Sequence, residues 1–267
     1  MTGAARQPPR NTPCFRATVR AGERINPSFP LTYARAQADL RAMRGDPKPL
    51  LRPLVFVCGI VDAGLGPHLM RLRLRGAVRD ERVLTVHYLD CRSYAAARRK
   101  LIEAVDARFG HGAHADRTVE VDVIGQSLGG LVGWHAGADL GDGARRLNVR
   151  RLFALASPFT GARGARLPRM MAMQRELRPS STFLPRLAAA RHNCDVHPYV
   201  RLHDTLVGPE HSAPPGRAPW WLDKPPTETA HVHLMIDPRI ITELGRHLRG
   251  EPPYTTSPPT PLPANAS

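Results

Sequence analysis

Residues 119–138 read VEVDVIGQSLGGLVGWHAGA, and the reading of this stretch decides the fold. Val119 to Ile124 is rich in β-branched residues and matches a strand buried inside a sheet. From Leu128 to about Ala138 the chain is apolar over a helical length. Only Gly125-Gln126-Ser127 separates the two, so the strand passes into the helix through a tight bend. Glycine at 125 and 129 removes side chains that would collide with the neighbouring strand and helix, and Gly130 extends that freedom. Ser127 sits on the bend, where its hydroxyl projects beyond the sheet edge. It also lies at a helix N-terminus, whose free N–H groups favour negative charge.

Working outward, the same alternation recurs. Residues 1 to about 27 read as an irregular arm, and residues 28–250 as a single domain. Ser28 to Met43 is expected to be helical and to end at Gly45-Asp46-Pro47. Leu54 to Val57 is a short, fully apolar strand, followed by glycines 59, 64 and 66 where the backbone turns. Leu65 to Val78 reads as a helix and Val83 to Leu89 as a strand. Ser93 caps a helix with Tyr94, Ala97, Leu101, Val105 and Phe109 on one stripe, closed by Gly110. Val149 to Leu155 and the shorter Tyr199 to Leu202 are further strands. Asp237-Pro238 opens a last helix that buries Ile240, Ile241, Leu244 and Leu248. Residues 251–267, rich in Pro, Thr and Ser, are expected to be disordered. Strands alternating with helices define an α/β chain, with a mostly parallel sheet covered on both faces. Its chemistry is to be sought beyond the carboxyl ends of the strands, after Val57, Ile124, Leu155 and Leu202.

The composition is that of a globular protein. The 267 residues are 42% hydrophobic and 23% charged, enough for one large core. The net charge is +15, and lysine occurs only at Lys48, Lys100 and Lys224, so nearly all 38 cationic side chains are arginine. They are scattered along the chain, as solvated charge would be. No basic tract interleaved with aromatics marks a nucleic-acid binder, whereas peripheral contact with an acidic membrane remains compatible with the charge. Cys14, Cys58, Cys91 and Cys194 are too far apart for a Cys-x-x-Cys pair. No apolar run approaches the roughly 20 residues that span a bilayer, and the amino-terminal stretch lacks the apolar centre of a secretory signal. The expected setting is a reducing cytoplasm, with the cysteines as thiols. Neither a Walker-type phosphate loop nor a dinucleotide fingerprint occurs, and no cofactor is implied.

A serine hydroxyl is a poor nucleophile near neutral pH and needs a general base that is itself oriented by an acid. Asp195 and Asp204 are the downstream carboxylates near strand ends. Asp204 directly follows the strand YVRL and His203, whereas Asp195 precedes that strand. His231 and His233 lie before the last helix and are both candidate bases. A His-x-His pair on a strand could also form half of a metal site, although no cluster of carboxylates accompanies it. His192, His197, His203 and His211 are lesser candidates. Two backbone donors for an oxyanion are expected: the N–H of Leu128, next to the serine, and that of Ile60, in the turn after Gly59.

From about residue 50 to 249 the chain resembles the bacterial lipase- and esterase-type α/β-hydrolases. LVFVCGI resembles that family's strand ending in His-Gly, and VDVIGQSLGGLVGWHA its nucleophile bend. LFALASPFTGAR, LRPSSTFLPRL and HDTLV resemble further family segments, and AHVHLMIDPRII resembles a Gly-His-x-Ser-Leu pattern before the closing helix. The resemblance implies a triad in the order Ser127, Asp204, His231, with His233 where serine is usual. It departs from the family at Cys58, which replaces a histidine, at Phe159, which replaces another, and at Ala230, where glycine is common.

Residues 160–193 contain no clear strand. Met170, Met171, Met173, Leu177, Phe183, Leu184 and Leu187 could form a small helical cap over an acyl-chain pocket, or pack on the core as an ordinary excursion. The expected activity is hydrolysis of a small-molecule or lipid carboxylic ester through an acyl-enzyme. A thioesterase or acyltransferase would use the same triad. The charge leaves open a third reading, a non-catalytic binding protein on a hydrolase scaffold.

Overall fold

The computed structural model describes residues 24–59, 64–79, 81–166, 172–178, 181–223 and 229–266. Most of the amino-terminal arm, Ile60, Met170 and Met171 lie outside these residues. A small parallel pair, β1 (Lys48–Pro49) and β3 (Val78–Arg79), stands apart from the main sheet. The main sheet contains β2 (Leu54–Val57), β4 (Val83–Val86), β5 (Arg117–Gln126), β6 (Arg146–Leu155), β7 (Asp195–Arg201) and β8 (Trp220–Leu222). It runs in the order β4-β2-β5-β6-β7-β8, and every pairing is parallel. The chain leaves β2 toward one edge and then crosses back to add β5 on the other side. The crevice beyond the carboxyl ends of β2 and β5 is therefore the topological switch point.

Alternation along the strands feeds two cores. Leu54, Phe56, Ile124, Phe153 and Leu155 face α1 (Tyr33–Gly45), α2 (Leu65–Leu74) and α7 (Pro238–Arg249). Val55, Val57, Val123, Leu152 and Ala154 face α3 (Tyr94–Phe109) and α4 (Leu128–Gly137). Because both faces are covered, the strands read as continuous apolar runs.

Several boundaries differ from the sequence reading. The first helix starts at Tyr33, not Ser28, because Thr32 caps it by accepting the N–H of Arg35, while the Ser28 hydroxyl donates to the Pro258 carbonyl. Strand β7 is longer than expected. Asp195, His197 and Pro198 break its apolar pattern but pair along β6. Strand β8 was not expected at all, being three residues long and preceded by a proline-rich stretch.

Where the segment 160–193 is described, its apolar side chains pack on the core. Met173, Leu177, Leu184 and Leu187 are buried in the core with α3 and α4, and the Phe183 ring, on α5 (Phe183–Ala189), stacks on Tyr94 at 4.4 Å. A short helix, α6 (Ala230–His233), precedes α7.

The carboxyl-terminal stretch is the main correction. Residues 251–266 were expected to be disordered but lie along the β8 edge. Trp220 Nε1 donates to the Thr256 carbonyl at 3.0 Å and Trp221 Nε1 to the Pro261 carbonyl at 3.2 Å. The Glu243 carboxylate accepts the N–H groups of Tyr254 and Thr255. Composition alone counted the prolines but not these donors. This strap is tied to β8 through the two indoles, while the open backbone edge of β8 is met by Ile25, which bridges to Leu222.

Helix α4, which follows the bend at Ser127, buries His135 with no partner at Nδ1. Burial, reinforced by the positive charge of Arg98, lowers the His135 pKa to about 4. Burial likewise lowers the pKa of His247. A buried neutral imidazole binds a proton in the unfolded chain before it does so in the folded one. Stability is therefore complete above pH ~6.5 and falls as the pH drops toward 4, by about 3 kcal/mol for His135. In urea unfolding at pH 7 and pH 5, His135→Gln is expected to flatten this slope. A slope equal to that of the parent would show that His135 is not held neutral.

Candidate active site

The bend after β5 is built by close packing. Ser127 has φ 52° and ψ −128°, a conformation that residues with a side chain rarely adopt. Its N–H donates to the Leu155 carbonyl at 2.8 Å, which ties the bend to the end of β6. A Cβ at Gly129 would stand 2.2 Å from the Val57 carbonyl oxygen and 2.5 Å from that of Cys58. A Cβ at Gly125 would meet the backbone of Gly130 at 2.4 Å, and one at Gly130 would meet Ser157 Oγ at 2.0 Å. The three glycines are thus required by space, and they allow α4 to start hard against β2. Leu128 is the first residue of α4, so its N–H belongs to the first turn, which has no intrahelical acceptor. The second oxyanion donor expected from sequence, Ile60, lies outside the described residues.

Asp204 follows the end of β7 and is fully buried. Its Oδ1 accepts the N–H of Leu206 at 2.9 Å and that of Val207 at 3.1 Å. Its Oδ2 lies 2.8 Å from His231 Nδ1. With one oxygen occupied by the local turn, the other is committed to the imidazole. An acceptor at Nδ1 places the ring proton there and leaves Nε2 as the basic nitrogen. His231 and His233 sit on α6, not on a strand. His233 Nδ1 faces its own Thr229 carbonyl at 3.1 Å, so only His231 meets the carboxylate. Asp195 opens β7 at the opposite end and pairs with His197 at 3.0 Å. Among the described residues no group of three or more His, Cys, Asp or Glu side chains could hold a metal.

A buried charge cluster joins the acid to the histidine. Arg201, the last residue of β7, donates to Asp237 Oδ2 at 2.9 Å. Arg239 Nε and NH2 donate to the two oxygens of the same carboxylate at 3.0 and 2.8 Å. Asp237 also caps α7 through the Arg239 N–H. The strand that leads into Asp204 is therefore fastened to the segment that follows His231. From the sequence Asp237 was legible only as a helix cap. Its partner Arg201 carries no local signal, because the pair joins residues 36 apart in the chain.

His87 was also missed. It follows β4 at the same end of the sheet, and its Nδ1 lies 3.3 Å from Cys58 Sγ. Gly64 packs so closely on its ring that a Cβ there would lie 2.6 Å from Cε1. Cys58 stands where the resembled family has histidine, and an imidazole from the neighbouring strand lies beside it. The rule of looking past strand ends would have found His87 had β4 been ended at Val86.

A parallel six-stranded sheet, helices on both faces and a strained serine at the switch point define an α/β-hydrolase fold. The sequence matches no protein-family model and no curated protein. Solved structures do match. The product of gene lin2722 from Listeria innocua gives a TM-score of 0.50 at 14% identity, over 73% of this chain and 92% of that one. Lipase BlEst2 from Bacillus licheniformis, in mature form, gives 0.45 at 13% identity, over 73% and 89%. Phospholipase PlaB from Legionella pneumophila gives 0.41 at 15% identity, over 57% of this chain and 38% of PlaB. At such identities the likeness is one of fold.

Two substitutions test the packing. Gly129→Ala is expected to lower the unfolding free energy by about 1–3 kcal/mol. Gly45→Ala, with open space around it, should be neutral; equal effects would show that the bend is not crowded. Asp237→Asn leaves two buried guanidiniums short of their counter-charge. Burial has already brought the pKa of Arg239 down to about 10. The expected loss is about 3–5 kcal/mol in denaturant unfolding, and a loss below ~1 kcal/mol would mean the cluster does not fasten the two segments.

Proposed function

We propose that the protein is a serine hydrolase of carboxylic esters, with Ser127 as nucleophile, His231 as general base and acid, and Asp204 as the residue that orients it. One observation carries the reading: a serine in strained backbone on the glycine bend shares a sheet edge with a buried Asp204–His231 pair whose hydrogen bond is 2.8 Å. Strands β5 and β7 flank β6, so their ends stand about 10 Å apart, a gap that a histidine on a separate segment is suited to bridge.

Ser127 Oγ attacks the acyl carbonyl as His231 Nε2 takes its proton. The carbonyl oxygen becomes an oxyanion, stabilised by the Leu128 N–H and by a donor from the turn after Gly59, where Ile60 is the expected residue. Collapse of the tetrahedral intermediate expels the alcohol, which receives the proton from His231. Water then attacks the acyl-enzyme and gives a proton to His231, which passes it to Ser127 Oγ as the second tetrahedral intermediate collapses to the acid and the free serine. No cofactor takes part in this scheme.

Ser127→Ala is expected to lower hydrolysis of short p-nitrophenyl esters by on the order of 10⁴-fold or more, with unfolding unchanged. Asp204→Asn should lower kcat by about 10³–10⁴-fold. A fluorophosphonate should label Ser127 alone. Undiminished turnover in Ser127→Ala, or a label mapped to another residue, rejects the assignment.

A further inference from the structure

Helix α2 presents a face that the described residues leave uncovered. Leu65, Leu69 and Leu72 are 68%, 37% and 45% exposed. Spacings of four and three residues align them in one stripe, opposite the row of Pro67, Met70 and Leu74 that packs inward. Exposed Arg73 and Arg75 lie to either side of the stripe. No carboxylate occurs between Gly64 and Arg79, and the whole chain carries +15. The helix starts just past the carboxyl end of β2, at the switch point that holds Ser127. It also packs on the Leu234–Ile236 turn, shortly after Val232, which is 58% exposed.

We propose that this face of α2 docks on an anionic lipid bilayer. An apolar stripe flanked by arginines is the pattern of a helix lying in the plane of a membrane surface. The leucines enter the acyl boundary, the arginine stems lie along it, and the guanidiniums reach the phosphates. A second copy of the chain is a poor occupant, because a twofold contact sets arginine against arginine with no carboxylate on the helix to pair them. Nucleic acid would satisfy the arginines but not the leucines. Docking needs no catalysis. Its consequence, that the ester is drawn from the same surface, rests on the hydrolase reading above.

The test is flotation of the full chain, carrying Ser127→Ala, with phosphatidylcholine vesicles with and without phosphatidylglycerol. Binding is expected only with phosphatidylglycerol, and it should weaken as salt is raised. The combination Leu65→Ser, Leu69→Ser, Leu72→Ser should lower affinity by roughly tenfold or more. Arg73→Gln and Arg75→Gln should each lower it by about fivefold. All variants should still unfold cooperatively, the leucine variant with a lower midpoint because Leu69 and Leu72 are partly buried. Equal binding to neutral vesicles, unaltered binding by the leucine variant, or self-association that the leucine variant abolishes would overturn the proposal. Because the chain tested is catalytically silent, failure to float leaves the hydrolase reading untouched. An inactive wild type, in turn, leaves the flotation result intact.

Discussion

The whole site depends on how little room surrounds residues 125–130. The Val57 and Cys58 carbonyls, the backbone of Gly130 and the hydroxyl of Ser157 all press on positions that only glycine can fill. This crowding forces Ser127 into the left-handed region and brings α4 against the end of β2. Strand, helix and serine cannot be adjusted separately. The strain, of order 1–3 kcal/mol for such a residue, persists because the two cores on either side of the sheet hold the bend in place.

The acid and the histidine are held by different means. Asp204 is oriented by two backbone N–H groups of its own turn, and His231 by Asp204. Behind them Asp237 gathers Arg201 and Arg239 in the interior. Part of the arginine content is therefore structural. Arg151 forms a two-pronged pair with buried Asp122, and Arg145 another with Asp106. The arginines of α2 differ, since they flank exposed leucine.

Local patterns were legible in the sequence, and long-range ones were not. The bend could be read because strand, glycines and helix are contiguous, and the order of elements because apolar runs alternate with striped helices. Asp204 and His231 were found from strand ends and family resemblance, and the structure brings those two together. Strand β8 is too short to show a period, and β7 is interrupted by His197 and Pro198. The Arg201–Asp237 pair leaves no trace in either local segment. The ordered strap was misread because disorder was inferred from composition, whereas order comes from donors such as Trp220 and Trp221 that lie far away in the chain.

That strap gives the molecule an optical reporter. Two of its three tryptophans, Trp220 and Trp221, donate their indole N–H groups to strap carbonyls, while Trp134 lies in the helix after Ser127 and stacks on His192 at 4.2 Å. Peeling residues 254–266 away would wet two indoles and leave the third dry. Emission from Trp134 alone, after the other two are replaced by phenylalanine, would then isolate the half of the sheet that carries Ser127 from events at its far edge.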